Sequence, residues 1–454
     1  MSDRPISLAE VRPCLEGVIP ATMATVAADG TPNVAYISQA HYVDDGHLAL
    51  SFQFFNKTRQ NLLANPRSTL LVLHPATARF YRLHLRYLRT ETEGPIFESM
   101  KAQLAGIASH TGMADVFRLR GSDIHEVQRV ELLPQGELPM PLPLPEPGPV
   151  YLSVLRRASA RLARACNLGQ VLDTALEVLG TELGIDHAMV LILDPATQRL
   201  YTVASRGYEQ SGVGSEIALG QGVIGTAARE QTPVRITHMT AAYRYSQAMR
   251  SSLDGEAAGP PGTDIPYPGL AEPRSQLAVP LVSMGRLIGV LFVESPQDMR
   301  FGFEDEDALV ALAGPLAAAI DLMQEAETAC VDDAERPASA TPPDPGPPLR
   351  VRRYRANDSI FVNDSYLIKG VAGAILWKLL CDWRQRGRCE FTNRELRLDA
   401  SLRLPEVADN LEARLLLLHR RLGEQCPRLR IEKTGRGSFR FLAPTTVELE
   451  DVAG

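Results

Sequence analysis

Two proline-dense stretches cut this chain. LPQGELPMPLPLPEPGP runs from Leu133 to Pro149, and ERPASATPPDPGPP from Glu335 to Pro348. Proline has no amide proton and a fixed φ, so at this density neither a helix nor an inner strand can form. Such segments make extended, semi-rigid spacers. The chain is therefore expected to fold as units at 8–133, 151–328 and 350–443. The linkers are 134–150 and 329–349, and an acidic tail follows at 444–454. A length of 454 residues suits about three domains. A further loop-like tract, Ser251 to Gly269, lies inside the middle unit and reads as a surface insertion.

Composition excludes several classes. Apolar residues make up 45% and charged residues 22% of the chain, as in globular proteins. No run approaches the ~18 apolar residues of a membrane span. The start, MSDRPISLAEVR, lacks a basic stretch followed by an apolar one, so no secretion signal is read. The six cysteines form no CxxC pair, and the nine histidines show no HExxH spacing. Neither a disulfide framework nor a metal site is expected. The reading is a cytoplasmic protein with no membrane partner. Its charge is uneven. Residues 350–441 carry 20 Lys and Arg against 11 Asp and Glu, a net +9, which leaves −16 on the rest of a chain of net charge −7. A basic C-terminal module on an acidic body stands out, beside the plainer reading of a solvated Arg-rich surface.

In the first unit, TMATVAADGTPNVAYISQAHYVDDGHLALSF reads as three strands with turns at Ala28–Thr31 and Asp44–Gly46. FNKTRQNLLANPR follows, with a short helix at about 57–64. Then come the strands RSTLLVLHP and ARFYRLHLRYLRTETEG. Closely spaced strands around one short helix suggest a small barrel. This order, with N-K-T-R-Q-N-L-x-x-N-P after the third strand, resembles the FMN-binding split barrel of the pyridoxamine 5′-phosphate oxidase superfamily. The resemblance implies that Asn56, Lys57 and Thr58, with Arg59, face the FMN phosphate. Ser51 and Gln53 would approach the ring edge. A phosphate dianion needs charge-assisted donors, and helix-start amides add more. Split barrels of this kind also bind heme or a deazaflavin, or bind nothing. The family's oxidases place an arginine on the preceding strand, and NVAYISQ has none. The arginine and histidine that those oxidases use on substrate are not evident either, so no catalytic residue is assigned.

The middle unit opens on YLSVLRRASARLARACNLGQVLDTALEVLGTEL, with Leu152, Leu155, Leu162 and Cys166 at helical spacing and an end near Gly184. Strands HAMVLILD and RLYTVASRGY follow. Next are Gly220-x-Gly222-x-x-Gly225, a hairpin around Met284–Gly285, and a long helix from Phe303. The glycines lack a βαβ context, so a dinucleotide site is rejected in favour of backbone turning at a helix entry. The segment resembles a GAF domain, which implies a sensor or a dimerisation unit. Its ligand is unknown and would lie under the insertion at 238–274, with His238, Tyr243, Tyr245, Met249 and Tyr267.

The third unit begins with a hairpin turning at Asn363–Asp364. An amphipathic helix follows, ending at Gly387, and then a capping box from Thr392 to Glu395. LPEVADNLEARLLLLHRRLGE is a third helix, and a basic hairpin has Gly435-x-Gly437 at its tip. These pieces resemble the winged-helix effector domain of OmpR-like regulators. The resemblance implies DNA contacts from Arg414, His419, Arg420 and Arg421 on the helix and from Lys433, Arg436 and Arg440 on the wing. Leu415–Leu418 departs from that pattern. Four leucines cover every face of a turn, so either Leu416 or Leu417 is exposed or a partner covers it.

The expected fold is multidomain: a β split barrel, then an α+β GAF domain, then an α+β winged helix. The expected function is a homodimeric one-component regulator that senses flavin, redox state or a small molecule. The alternatives are an FMN-dependent oxidoreductase with regulatory domains, and a signalling adaptor whose winged helix binds protein.

Overall fold

Seven antiparallel strands build the first unit. They are β1 (Ala21–Val26), β2 (Pro32–Ile37), β3 (Ala40–Asp44), β4 (His47–Phe52), β5 (Arg67–Leu73), β6 (Phe80–Glu91) and β7 (Gly121–Leu132). Helix α1 (Lys57–Ala64) precedes β5, and α2 (Pro95–Thr111) precedes β7. The sheet order is β2-β1-β5-β6-β7-β4-β3. Its two ends, β2 and β3, are separated in the chain only by Ser38 and Gln39. That link spans roughly 10 Å at most, so the sheet must curl until its ends meet. The result is split-barrel-like, as expected. The same link corrects one detail. Residues 22–52 form four strands and not three, because the chain crosses from one sheet edge to the other at Ser38–Gln39.

This computed structural model describes residues 5–15, 20–53, 57–75, 77–111, 118–134, 150–238, 265–329, 348–402, 411–435, 437–443 and 447–452. Most of both proline-rich linkers, Asn56, Arg436, and Tyr243, Tyr245 and Met249 of the insertion lie outside the described residues.

The middle unit contains α3 (Tyr151–Leu162), α4 (Leu168–Glu182), β8 (His187–Asp194), β9 (Arg199–Arg206), β10 (Glu216–Ala218), α5 (Gly222–Glu230), β11 (Val234–Ile236), β12 (Ser275–Ser283), β13 (Arg286–Ser295) and α6 (Phe303–Ala329). The opening helical segment is broken in two. Asn167 caps α4 by accepting from the Gln170 amide at 3.0 Å, which ends the continuous spacing there. The six-stranded sheet, ordered β10-β9-β8-β13-β12-β11, is buried on both faces. Alternate residues show it. Ala188, Val190 and Ile192 face α3, α4 and α6, while Met189 and Leu191 face α5. Burial on both faces explains why HAMVLILD reads as an unbroken apolar run. The glycine cluster turns the chain as expected. Gly220 and Gly222 have φ of 84° and 63°, and a Cβ on Gly225 would meet the Ala218 carbonyl oxygen at 2.3 Å.

The third unit has β14 (Leu349–Tyr354), β15 (Ser359–Val362), β16 (Ser365–Ile368), α7 (Gly370–Arg386), β17 (Glu390–Thr392), α8 (Asn393–Leu398), α9 (Leu411–Gln425), β18 (Arg430–Gly435), β19 (Ser438–Leu442) and β20 (Val447–Val452). Asn363 and Asp364 both have positive φ, 48° and 67°, the geometry of a tight hairpin turn. The Thr392–Glu395 capping box is present in both directions. One expectation is corrected. Residues 447–452 of the supposed acidic tail are a strand, paired in parallel with β14. VELEDV alternates, so Val447 is buried while the acids face the basic strand LRVRRY. Arg352 meets Glu450 at 3.2 Å and Arg355 meets Asp451 at 2.6 Å. Opposite charges on neighbouring strands support the pairing.

The units touch one another. Lys101 on α2 bridges to Glu230 on α5 at 3.2 Å. A Cβ on Gly106 would meet Val234 Cγ1 at 2.4 Å. The largest apolar cluster runs from α3, α4 and α6 into α7 and α9. Truncation before Val447 uncovers Leu349 and Val351 and removes at least one buried valine, a loss of about 1.5–3 kcal/mol. A thermal scan of full-length and truncated protein should show the C-terminal transition lowered. Coincident transitions would show that β20 adds nothing.

Candidate functional site

The barrel encloses a cavity of about 440 Å³ between β2, β4, β7 and α1. Such a volume suits a small ligand. One wall is apolar, from Met23, Ile37, Leu50 and Leu62. The opposite wall is polar. Gln53 Nε2 donates to Ser38 Oγ at 2.7 Å, and Ser38 and Ser51 hydroxyls lie 3.2 Å apart. Ser51 and Gln53 thus line the cavity together with Thr58 and Arg59, all from the sequence-based set.

The residues expected to face a phosphate are placed differently from one another. Thr58 is buried and accepts from Asn33 Nδ2 at 3.0 Å. Lys57, the first residue of α1, is exposed and does not line the cavity. Its charge reaches Asp29, whose carboxyl is held below the usual range chiefly by the Thr31 amide and hydroxyl, with Lys57 a smaller cause. Arg59 is engaged. It forms an ion pair with Asp123, donates to Thr90 Oγ1 at 2.7 Å, and stacks 4.5 Å from the Phe52 ring. Thr90 Oγ1 also donates to Asp123 Oδ1 at 2.6 Å. The pair is nearly dry, with side-chain exposures of 12% and 7%. The cavity end near Arg59 is therefore close to neutral.

Asp123 and His125 were not read from the sequence. They sit on β7, 59 and 61 residues beyond the end of α1 at Ala64, and no local motif marks them. His125 lines the cavity and is fully buried. Its Nδ1 lies 2.9 Å from the Asp123 carbonyl. A carbonyl only accepts, so Nδ1 carries the proton and Nε2 is a bare acceptor in the neutral ring. Among the described residues Nε2 has no partner. Burial, the leading cause, pushes the His125 pKa down, so the ring stays neutral. The cavity thus combines an apolar wall, an amide-hydroxyl wall and an orphaned acceptor. This set fits a planar amphipathic ring. For the phosphate of a flavin mononucleotide the cavity offers the Thr58 hydroxyl and the start of α1, while Lys57 lies outside its lining. Arg59 serves the wall instead.

The C-terminal candidates are placed differently. Arg414 and Arg420 on α9 point into the middle unit and meet Asp194 and Asp173. Arg421 is buried and donates to the Leu367 carbonyl at 3.2 Å. His419 Nδ1 lies 3.0 Å from the Ile431 carbonyl. Lys433 pairs with Glu412, and Arg440 meets Glu390 at 3.0 Å. Leu415, Leu417 and Leu418 are buried, and Leu416 packs against the shared core. The partner that covers this leucine run is the middle unit of the same chain. Among the described residues no cluster of His, Cys, Asp and Glu could hold a metal, and no helix is long and apolar enough to cross a membrane.

Residues 7–128 match the family model for pyridoxamine 5′-phosphate oxidase, and residues 167–321 match that for the GAF domain. The chain joins a split barrel of the first kind to a GAF domain. No curated protein matches it. Among solved structures it is similar to the GAF domain of an Acinetobacter phosphoenolpyruvate-protein phosphotransferase, at 23% identity over 40% of this chain and 97% of that one, with a TM-score of 0.31. It is similar to an FMN-binding protein from Syntrophomonas wolfei subsp. wolfei, at 19% identity over 29% and 88%, with a TM-score of 0.25. It is also similar to free methionine-R-sulfoxide reductase from Neisseria meningitidis, at 22% identity over 39% and 92%, with a TM-score of 0.30.

Removing one member of a buried ion pair strands the other. Asp123→Ala should lower the stability of the barrel by about 3–5 kcal/mol, measured by chemical denaturation. A loss under about 1 kcal/mol, the range of a surface pair, would mean that solvent reaches Arg59.

Proposed function

We propose that this protein is a one-component sensor and regulator. Its split barrel takes a flavin-type ligand, its GAF domain serves as a second sensor, and its C-terminal unit is a winged helix that carries the output to DNA. The observation that carries this reading is the contact chain between the units. The barrel packs on one side of the GAF domain through α2 and α5, and α9 packs on another through Arg414 and Arg420. A change in either sensor then has a physical route to the output helix, as a switch requires. The element order of the C-terminal unit supports the winged-helix reading: a sheet, three helices, and a basic hairpin at β18–β19.

The barrel reading rests on the family match and on the cavity. A bound flavin would supply reversible redox chemistry. This chain's residues would hold its ring between Met23, Leu62 and the Ser51–Gln53 wall, and would offer His125 Nε2 to a ring N–H. Arg59, neutralised by Asp123, favours sensing over turnover, because the cation that lines the cavity among the described residues is already paired with an acid.

A homodimer belongs to the same proposal. Tyr36, on the edge strand β2, lines the cavity yet is 82% exposed, and its neighbour Val34 is 65% exposed. A second copy would cover these side chains and close the cavity mouth. A reading in which the C-terminal unit binds protein is favoured by one fact: the face of α9 that resembles a DNA reader already binds protein here.

Purified protein should take up added FMN with a flavin absorption spectrum and run as a dimer by light scattering. Tyr36→Glu should abolish both together. A colourless monomer that ignores FMN would end the flavin and dimer readings. The full chain should bind duplex DNA with an affinity that falls steeply with salt. Absence of binding at low salt, even with α9 released, would favour the protein-binding reading.

A further inference from the structure

The face that α9 would need for its output is already occupied. Arg414 Nη2 lies 3.1 Å from Asp194 Oδ2, with both side chains 11% exposed. Arg420 Nη2 donates to Asp173 Oδ1 at 2.6 Å, and its Nη1 donates to the Val203 carbonyl at 2.8 Å. Leu416 lies against Gly169, and Leu417 packs toward Gly214. Three elements of the GAF unit, α4, β8 and β9, thus hold one helix. Each cation meets an oxygen of the kind a phosphate would present.

We infer that this contact is a latch: Asp173 and Asp194 stand in for nucleic-acid phosphates and keep α9 off its polyanion until the GAF unit lets go. The inference rests on the DNA-binding reading above and extends it to regulation. Three features mark the contact as one that opens. It is charge-complementary: with β20 counted in its own unit, residues 350–454 carry 20 Lys and Arg against 14 Asp and Glu, a net +6, against −13 on residues 1–349. It is incompletely satisfied, since Arg414 Nε is buried with no partner among the described residues, a cost that a permanent interface avoids. It is also not close-packed. A cavity of about 440 Å³ remains between α4, α9 and the β18–β19 hairpin, lined by Gln170, Leu416, His419 and Phe439. The latch is tied to the sensor's frame. Asp194 ends β8, next to the buried β13 in the middle of the GAF sheet, and its Oδ1 accepts from the Ala196 amide at 3.1 Å. A shift of that turn moves the carboxylate away from Arg414.

The test uses the full chain with Asp173→Asn and Asp194→Asn combined. Two readouts are taken: amide hydrogen exchange across α9, and binding to a fluorescent random-sequence duplex over a salt series. The expected result is faster exchange in α9 and DNA binding at least tenfold tighter than the parent. The slope of log affinity against log salt should steepen by about two, for two added phosphate contacts. Asp173→Lys alone guards against misfolding, because the Asp173 side chain is 70% exposed. It should shift both readouts in the same direction. Unchanged exchange in both variants would overturn the latch. Faster exchange with no gain in DNA binding would show that Asp173 and Asp194 do hold α9 and would overturn the DNA-binding reading.

Discussion

Four successive leucines on a helix cannot share one core. At about 100° per residue they spread around most of the circumference, so α9 needs apolar neighbours on two sides. Its own unit supplies one side through α7 and β18, and the GAF unit supplies the other. This constraint merges two apolar clusters into one that runs from α3 to Val447. The linker between the two units is therefore a connection across a formed interface. The basic residues follow the leucines inward, because Arg414 and Arg420 sit on the turns that the leucines bury. They need partners there, and Asp194 and Asp173 provide them.

A comparable constraint acts in the barrel. The two-residue link Ser38–Gln39 forces the ends of a seven-stranded sheet together and leaves a cavity at the seam. The strands that approach there bring Ser51 and Gln53 from β4, Thr58 and Arg59 from α1, and Asp123 and His125 from β7. The Arg59–Asp123 pair then sets the electrostatics. It removes a free cation from the site and leaves hydrogen-bonding groups on an otherwise apolar surface. Recognition of a ring fits this surface better than recognition of a highly charged substrate.

Much of the plan is legible in the residues. The two proline-dense stretches fall mostly outside the described residues, so what was legible is local structure inside the units. The hairpin at Asn363–Asp364, the capping box at Thr392–Glu395 and the helix entry at Gly220–Gly225 each depend on a few adjacent residues, and each forms as read. The failures are equally instructive. VELEDV looks like a solvated acidic tail until a basic strand 98 residues earlier is placed beside it. Lys57 looks like the natural phosphate ligand, yet it points to solvent, and the neighbouring Arg59 turns inward to an acid on β7.

By itself the sequence determined the local events: where helices are capped and which turns can form. These depend on backbone freedom and on contacts within a few residues. Only the tertiary structure decided the long-range pairings, namely Arg59 with Asp123, β14 with β20, and α9 with the GAF sheet. In each, the partner's position is set by chain closure and packing, and no local pattern carries that information. The fate of a charged side chain depends on which counter-charge the fold brings to it. For that reason the basic face of α9 reads as an open surface in one dimension and is a filled interface in three.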